Sequence, residues 1–113
     1  MANLSVTLCG VQFKNPVIAA SGTFGFGREY NELYDIGVLG GVSTKGLTID
    51  PRLGNPTPRI AESRGVILNA VGLQNPGVEH FIAHDLAWLK GTGTAVIANV
   101  AGQTLDDYFA ICQ

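Results

Sequence analysis

Nine residues, Val38 to Gly46 (VLGGVSTKG), constrain this chain more than any other stretch. They form an apolar, strand-like run with no regular polar alternation, the pattern of a strand buried on both faces. Such burial calls for a parallel sheet flanked by helices. Lys45 stands at the carboxyl end of the run. A cation there is either carried into solvent on its long stem or held ready for an anion. In sheets and barrels built from βα units, ligands collect at the carboxyl ends of the strands, and this favours the second reading.

Two further runs repeat the theme. Val17 to Ser21 (VIAAS) is a compact apolar strand that empties into the glycine-rich Gly22–Gly27, and Thr94 to Val100 (TAVIANV) is a third strand with Asn99 near its carboxyl end. Ahead of them, Leu4, Val6 and Leu8 alternate with polar residues, Cys9-Gly10 supplies a turn, and Val11 and Phe13 resume the alternation up to Asn15-Pro16: a β-hairpin. Arg28 to Asp35 is expected to be helical, with Leu33 and Ile36 on the Tyr30 side and Gly37 as a stop. The strand is expected over Val38 to Thr44. Leu47 to Pro58 carries Pro51, Pro56 and Pro58 and reads as a stiff loop. Arg59–Glu62 and Gly65–Asn69, around Ser63-Arg64, read as a second hairpin lying above the strand ends. Asn75-Pro76 is expected to cap a helix in which Val78, Phe81, Ile82, Leu86 and Leu89 recur at steps of three or four until Gly91 stops it. Thr104, with Asp106 and Asp107, opens a last helix.

The order is therefore a hairpin and then three βα units, the second interrupted by a hairpin, which means an α/β protein with parallel strands. Three such strands leave unpaired edges and bare apolar faces, whereas a closed (β/α)₈ barrel uses about 250 residues. The expected fold is the N-terminal part of a (β/α)₈ TIM barrel, with residues 1–113 forming one partial, truncated domain of a longer chain. Composition agrees. Only 14% of residues are charged against 46% apolar, where soluble domains carry roughly a quarter charged, so much of the chain must be covered. A net charge of −2 without a basic cluster gives no footprint for nucleic acid. No stretch approaches a membrane span, the N-terminus lacks a secretory pattern, and Cys9 and Cys112 show neither metal nor disulfide spacing. A cytoplasmic protein is the expectation.

Polar residues recur at matching places: Ser21, Lys45 and Asn99 at the ends of the three strands, and Asn69 at the end of the inserted hairpin. Hydroxyl, ammonium and amides can hold a polar heterocycle, and none of them is a natural proton-abstracting base in this setting.

Ser43-Thr44-Lys45-Gly46, Asn69-Ala70-Val71-Gly72-Leu73 and the segment from Asn15-Pro16-Val17 to Gly27, with its ASGTFGFG run, closely resemble the class 1 dihydroorotate dehydrogenases, above all their NAD-linked two-subunit type. The resemblance spans the chain. It implies an FMN-binding (β/α)₈ barrel that oxidises dihydroorotate to orotate in de novo pyrimidine (UMP) biosynthesis. Ser21, Lys45, Gly46 and Asn99 are expected to contact FMN, and Lys45, Asn69, Ala70, Val71, Gly72 and Leu73 to contact the pyrimidine. The family's base, a cysteine that removes the C5 proton as hydride leaves C6, would lie beyond Gln113, so no catalytic residue is expected within this chain and the 113 residues alone are expected not to turn over. The resemblance also implies a partner subunit carrying FAD and a [2Fe–2S] cluster that passes electrons to NAD, and a homodimer of catalytic subunits within a heterotetramer. It implies no membrane association, because the amphipathic extension of the membrane-bound class is not seen.

Two other readings compete. A non-catalytic remnant binding flavin or a partner would suit the short length. A Rossmann domain would suit Gly22–Gly27 between strand and helix, but the spacing is not G-x-G-x-x-G and the second strand ends in Lys45 where a dinucleotide site wants an acid. His80 and His84 lie one turn apart but outside an H-E-x-x-H order, so a solvated face is expected for them. Trp88 reads as helix-to-barrel packing. Arg52, Arg59 and Arg64 read as a solvated rim or part of a lid.

Overall fold

The computed structural model describes residues 2–113. It opens with a hairpin, β1 (Val6–Leu8) against β2 (Val11–Phe13). Its turn residues, Cys9 at φ 49° and Gly10 at φ 78°, have the paired positive φ of a tight two-residue hairpin turn. A parallel sheet follows in the order β3 (Ile18–Ala19), β4 (Gly41–Ser43), β7 (Ala95–Ile97), so each new strand is added beside the last. A third sheet is the inserted hairpin of β5 (Ile60–Ser63) and β6 (Val66–Asn69).

Register explains which side of the parallel sheet is which. Ala19, Val42 and Val96 align across the three strands. Val42 is fully buried in a cluster with Phe24, Ile36, Leu47, Phe81 and Leu89, and Ala19 and Val96 pack against it. This is the helix-covered face, and each large side chain buried there contributes roughly 1.5–3 kcal/mol. Because side chains alternate along a strand, Ile18, Gly41, Ser43 and Ile97 fall on the opposite face. Phe13 of β2 closes the amino end of that inner face: it is buried, and its ring would stand 3.0 Å from a Cβ on Gly41. The first hairpin thus sits under the strands. It is fastened there by Lys14 Nζ donating to the Gly37 carbonyl and Asn15 Nδ2 donating to the Val38 carbonyl.

The connecting elements are shorter than the sequence suggests. Val17 to Ser21 yields only a two-residue strand, and Ser21 instead starts a helical turn, α1 (Ser21–Phe24), inside the glycine-rich segment. Arg28 to Asp35 forms α2 (Arg28–Asn31) and then turns, leaving Leu33 80% exposed, while a 3₁₀ turn over Ile36–Val38 buries Ile36. Val38 therefore precedes the strand rather than belonging to it.

The long helix is α3 (Val78–Phe81), a π-helical stretch (Ile82–Leu86) and α4 (Ala87–Gly91) in continuous succession. The π turn shifts the helical phase. Phe81 and Leu89 are buried as the 3.6-residue pattern demands, but Ile82 is 56% exposed and Asp85 takes an inward place. Asp85 is held there by Arg28, whose Nε donates to Oδ1 at 2.9 Å and whose guanidinium lies 4.4 Å from the centre of the Trp88 ring. The expected cap also differs. The helix enters through Gly77, and Asn75 faces the preceding loops. The final helix, α5 (Leu105–Cys112), begins with a complete capping box between Thr104 and Asp107, as its sequence predicts. No helix among the described residues is long and apolar enough to cross a membrane.

Candidate functional site

β4 and β7 end level at Ser43 and Ile97, with β3 one residue short at Ala19, and the chain continues from each end into one of the predicted residues. Ser21 follows β3 by two residues, and Lys45 and Asn99 each follow their strand by two. Sheet bonding does not stop with the strands. The Thr44 amide donates to the Ile97 carbonyl and the Leu47 amide to the Asn99 carbonyl, both at 2.9 Å, and Leu47 then pairs with Val100. Ser43 pairs with Ile97 but Leu47 with Val100, so the lysine strand holds one extra residue between those two pairs. An extra residue of this kind re-aims a side chain at the end of a sheet, and here it falls on Thr44-Lys45-Gly46.

Thr44 and Asn99 bridge the irregular step. Thr44 is fully buried. Its hydroxyl accepts from the Asn99 amide and donates to the Lys45 carbonyl, each at 3.1 Å, while Asn99 Nδ2 donates to the Thr44 carbonyl at 2.8 Å and to Ser43 Oγ at 3.1 Å. With both amide protons so engaged, Asn99 Oδ1 has no donor among the described residues. Neither the Lys45 ammonium nor the Ser21 hydroxyl has a hydrogen-bond partner there either. An acceptor, a cation and a hydroxyl thus stand open at three adjacent strand ends.

The segment Asn69 to Leu73 reaches this region from β6, whose last residue is Asn69. Three of its carbonyls are taken: Ala70 accepts from Asn55 Nδ2 at 2.9 Å, Val71 from the Asn55 amide at 3.0 Å, and Leu73 from Asn75 Nδ2 at 2.9 Å, while the Ala70 amide donates to the Arg59 carbonyl at 2.8 Å. The amides of Val71, Gly72 and Leu73 donate to no acceptor among the described residues. Gly72 at φ 80° and Leu73 at φ 54° put successive residues in the left-handed region. At Gly72 the conformation is free for glycine alone, and a Cβ there would also meet Asn55 at 2.8 Å. Leu73 ends the segment against the lysine loop, for a Cβ on Gly46 would stand 2.9 Å from Leu73 Cδ1. Gly46 and Leu73 are therefore brought together, while Asn69 itself is exposed at the hairpin base.

Lys45 also borders an open cleft of about 460 Å³, walled by Phe26, Arg28, Arg52, Leu53 and Gln74 among others. Arg52 therefore belongs to the rim of the lysine cleft. Arg59 is structural: it donates to the carbonyls of Asn55 and Leu53 and to Gln74 Oε1, bracing the proline loop against the hairpin. Arg64 lies exposed in the hairpin turn. The His80 and His84 rings lie 4.4 Å apart, tilted by 44°, on an exposed helix face, and no group of three or more metal-binding side chains gathers among the described residues. Trp88 is partly buried against the core, as expected. Cys9 and Cys112 are free and exposed, in the first hairpin turn and in α5.

The sequence assigns no role at the site to Thr44, to Asn55, or to Asn75, which it marks only as a helix cap. Thr44 belongs to the Ser43–Gly46 motif, and its role follows from its side chain being polar inside a buried strand end. Asn55 and Asn75 are loop asparagines whose partners lie 15 and 27 residues away, a pairing no local pattern encodes.

Comparison with known proteins agrees with the architecture. A family model described as dihydroorotate dehydrogenase matches residues 3–113. The catalytic subunit of dihydroorotate dehydrogenase B (NAD(+)) from Listeria welshimeri is 54% identical over 112 residues, covering 99% of this chain and 37% of that protein. Its counterpart from Bacillus pumilus is 52% identical over 110 residues, 97% of this chain and 36% of that one. The chain thus spans little more than a third of the length of these relatives. A crystal structure of the dihydroorotate dehydrogenase of Eimeria tenella in complex with ferulenol superposes with a TM-score of 0.60 at 24% identity, over 94% of this chain and 32% of that one. That likeness concerns the fold, and it identifies the hairpin and three βα units as part of a (β/α)₈ barrel.

Proposed function

Since the chain belongs to the dihydroorotate dehydrogenase family, we propose that it forms the first part of the flavin and pyrimidine site of an enzyme that oxidises dihydroorotate to orotate in pyrimidine synthesis. One observation carries the reading. The open groups at three adjacent strand ends, Ser21 Oγ, Lys45 Nζ and Asn99 Oδ1, stand beside the end of the Asn69–Leu73 segment, where the amides of Val71, Gly72 and Leu73 have no acceptor among the described residues.

The donor set fits FMN. An isoalloxazine edge alternates N–H and carbonyl groups, which a free amide oxygen, a hydroxyl and an ammonium complement. Ser21, Lys45, Gly46 and Asn99 would hold it, with Gly46 allowing close approach. When bound, FMN supplies the two-electron acceptor for hydride from the substrate. The chain's own residues bind and orient. The Lys45 ammonium attracts the carboxylate of the pyrimidine, the amides of Val71, Gly72 and Leu73 donate to ring oxygens, and the Asn69 amide matches an adjacent N–H and C=O pair. Leu73 caps the Gly46 side and excludes water. Their contribution is positioning, which in well-oriented pairs lowers a barrier by several kcal/mol.

The proton-abstracting cysteine of the family has no counterpart among these residues, since Cys9 and Cys112 lie away from the strand ends. Residues 1–113 are accordingly proposed as one partial barrel domain that binds without turnover. The relatives named as NAD(+)-dependent catalytic subunits support a partner that carries electrons to NAD. By family resemblance this partner holds FAD and a [2Fe–2S] cluster, in a cytoplasmic heterotetramer built on a dimer of catalytic subunits. The Rossmann alternative is set aside by the family match.

The test is orotate titration of the complete FMN-loaded polypeptide carrying this sequence, followed through the flavin spectrum, for wild type and Lys45→Met. Loss of the ammonium should weaken orotate binding ~10-fold or more. Equal affinity would remove Lys45 from the site.

A further inference from the structure

Asn75 lies just outside the resemblance motifs, yet its side chain joins both halves of the proposed site. It is 6% exposed. Oδ1 accepts from the amides of Thr48 at 3.1 Å and Gly77 at 3.0 Å, and Nδ2 donates to the Leu73 carbonyl at 2.9 Å and to Thr48 Oγ1 at 3.0 Å. Its backbone exchanges hydrogen bonds with Arg52 at 2.9 and 3.0 Å. Thr48 follows Lys45 by three residues, and Leu73 closes the segment with the open amides. One carboxamide therefore ties the lysine loop to the Val71–Leu73 segment.

The two ends of that carboxamide do different work. The Oδ1 half bends the chain into the helix that starts at Val78, by accepting from the amide two residues on. Aspartate or serine does this equally well, and beside a helix N-terminus aspartate is electrostatically favoured. Aspartate has no donor and the single serine oxygen lacks the reach, so only the carboxamide accepts from Gly77 and donates to Leu73 together. The donor is spent on Leu73, a branched residue held at φ 54°, a backbone region that such residues avoid unless something fixes them there. Leu73 is also the residue against Gly46.

We propose that Asn75 is a positioning residue for pyrimidine binding. Through the Nδ2 bond to the Leu73 carbonyl it holds the open amides of Val71, Gly72 and Leu73 at a fixed distance from Lys45 and Gly46. This rests on the assignment of those amides and Lys45 to the substrate.

The test uses the complete FMN-loaded polypeptide with Asn75→Asp and Asn75→Ser. Aspartate keeps both acceptor bonds and serine keeps the one to Gly77, while both lose the donation to Leu73. FMN content should stay near wild type, with the thermal midpoint lowered only by the buried hydrogen bonds lost. The orotate Kd and the KM for dihydroorotate should rise ~10-fold, with kcat falling much less, because binding geometry is lost before chemistry. A folded, FMN-loaded variant with the wild-type orotate Kd overturns the inference. So does loss of folding and FMN in both variants, which would make the donor a structural prop. Wild-type protein that holds FMN but binds no orotate overturns the substrate assignment instead, and it does so before any substitution is made.

Discussion

Gly46 and Leu73 approach so closely that a single carbon on the glycine would stand 2.9 Å from Leu73 Cδ1. The atom met is the far end of a flexible side chain, so Gly46→Ala should cost little stability, within about 1 kcal/mol. It should nevertheless push Leu73 away and weaken orotate binding several-fold. Parallel thermal melts and orotate titrations check this, and a large loss of stability with unchanged affinity would contradict it.

Thr44 and Asn99 span the irregular step beside Lys45. Thr44→Val keeps the shape but removes the acceptor for the Asn99 amide and the donor to the Lys45 carbonyl. Leaving a half-buried amide unpaired costs about 1–3 kcal/mol, so urea unfolding should show a loss in that range. FMN affinity should fall with it, since Asn99 loses its backbone anchor and keeps only its side-chain bonds to Ser43 and the Thr44 carbonyl.

Arg28 joins the glycine-rich segment to the long helix across 57 residues. Its side chain is 46% exposed but that of Asp85 only 10%, so the pair is screened on one side. Arg28→Ala should destabilise by about 1–3 kcal/mol, less than a fully buried pair, chiefly by leaving the Asp85 carboxylate uncompensated. Asp85→Asn in the Arg28→Ala background should recover part of the loss in the same unfolding assay.

Asp107 is held below the ordinary aspartate value of 3.8, first by the backbone amides of Gln103 and Thr104 and then by the Thr104 hydroxyl. A carboxyl depressed in the folded state stabilises it above the unfolded pKa, and that contribution is lost as pH falls through the lower, folded value. Asp107→Asn should therefore weaken protection of the α5 amides at neutral pH. Hydrogen exchange should show the difference from wild type shrinking once the pH drops below 3.8.

The alternation of Val6, Leu8, Val11 and Phe13, the apolar runs around Val42 and Val96, and the Thr104 cap each express a local rule, so the first hairpin, the parallel strands and the last helix are legible in the sequence. The phase of the long helix is not. Ile82 fits a 3.6-residue repeat, but a π turn exposes it and admits Asp85, because an arginine 57 residues away compensates the charge. Ser21 is expected to end a strand and instead starts a helical turn directly after Ala20, where the glycine-rich segment begins. At the site, Lys45 and Asn99 could be read from their places at strand ends. Asn75 reads as a helix cap, but the helix is capped at Gly77 and Asn75 only turns the chain ahead of it, while its bond to Leu73 depends on loops that meet only in three dimensions.

The central claim is that Ser21, Lys45, Asn99 and the Asn69–Leu73 segment hold FMN and dihydroorotate together. The most direct measurement is the visible absorbance of FMN in the complete polypeptide, without oxygen, on addition of dihydroorotate, with the isolated 113-residue chain alongside. Bleaching in the complete protein and none in the 113-residue chain is the predicted result. A complete protein that binds FMN yet keeps its flavin oxidised under dihydroorotate would contradict it.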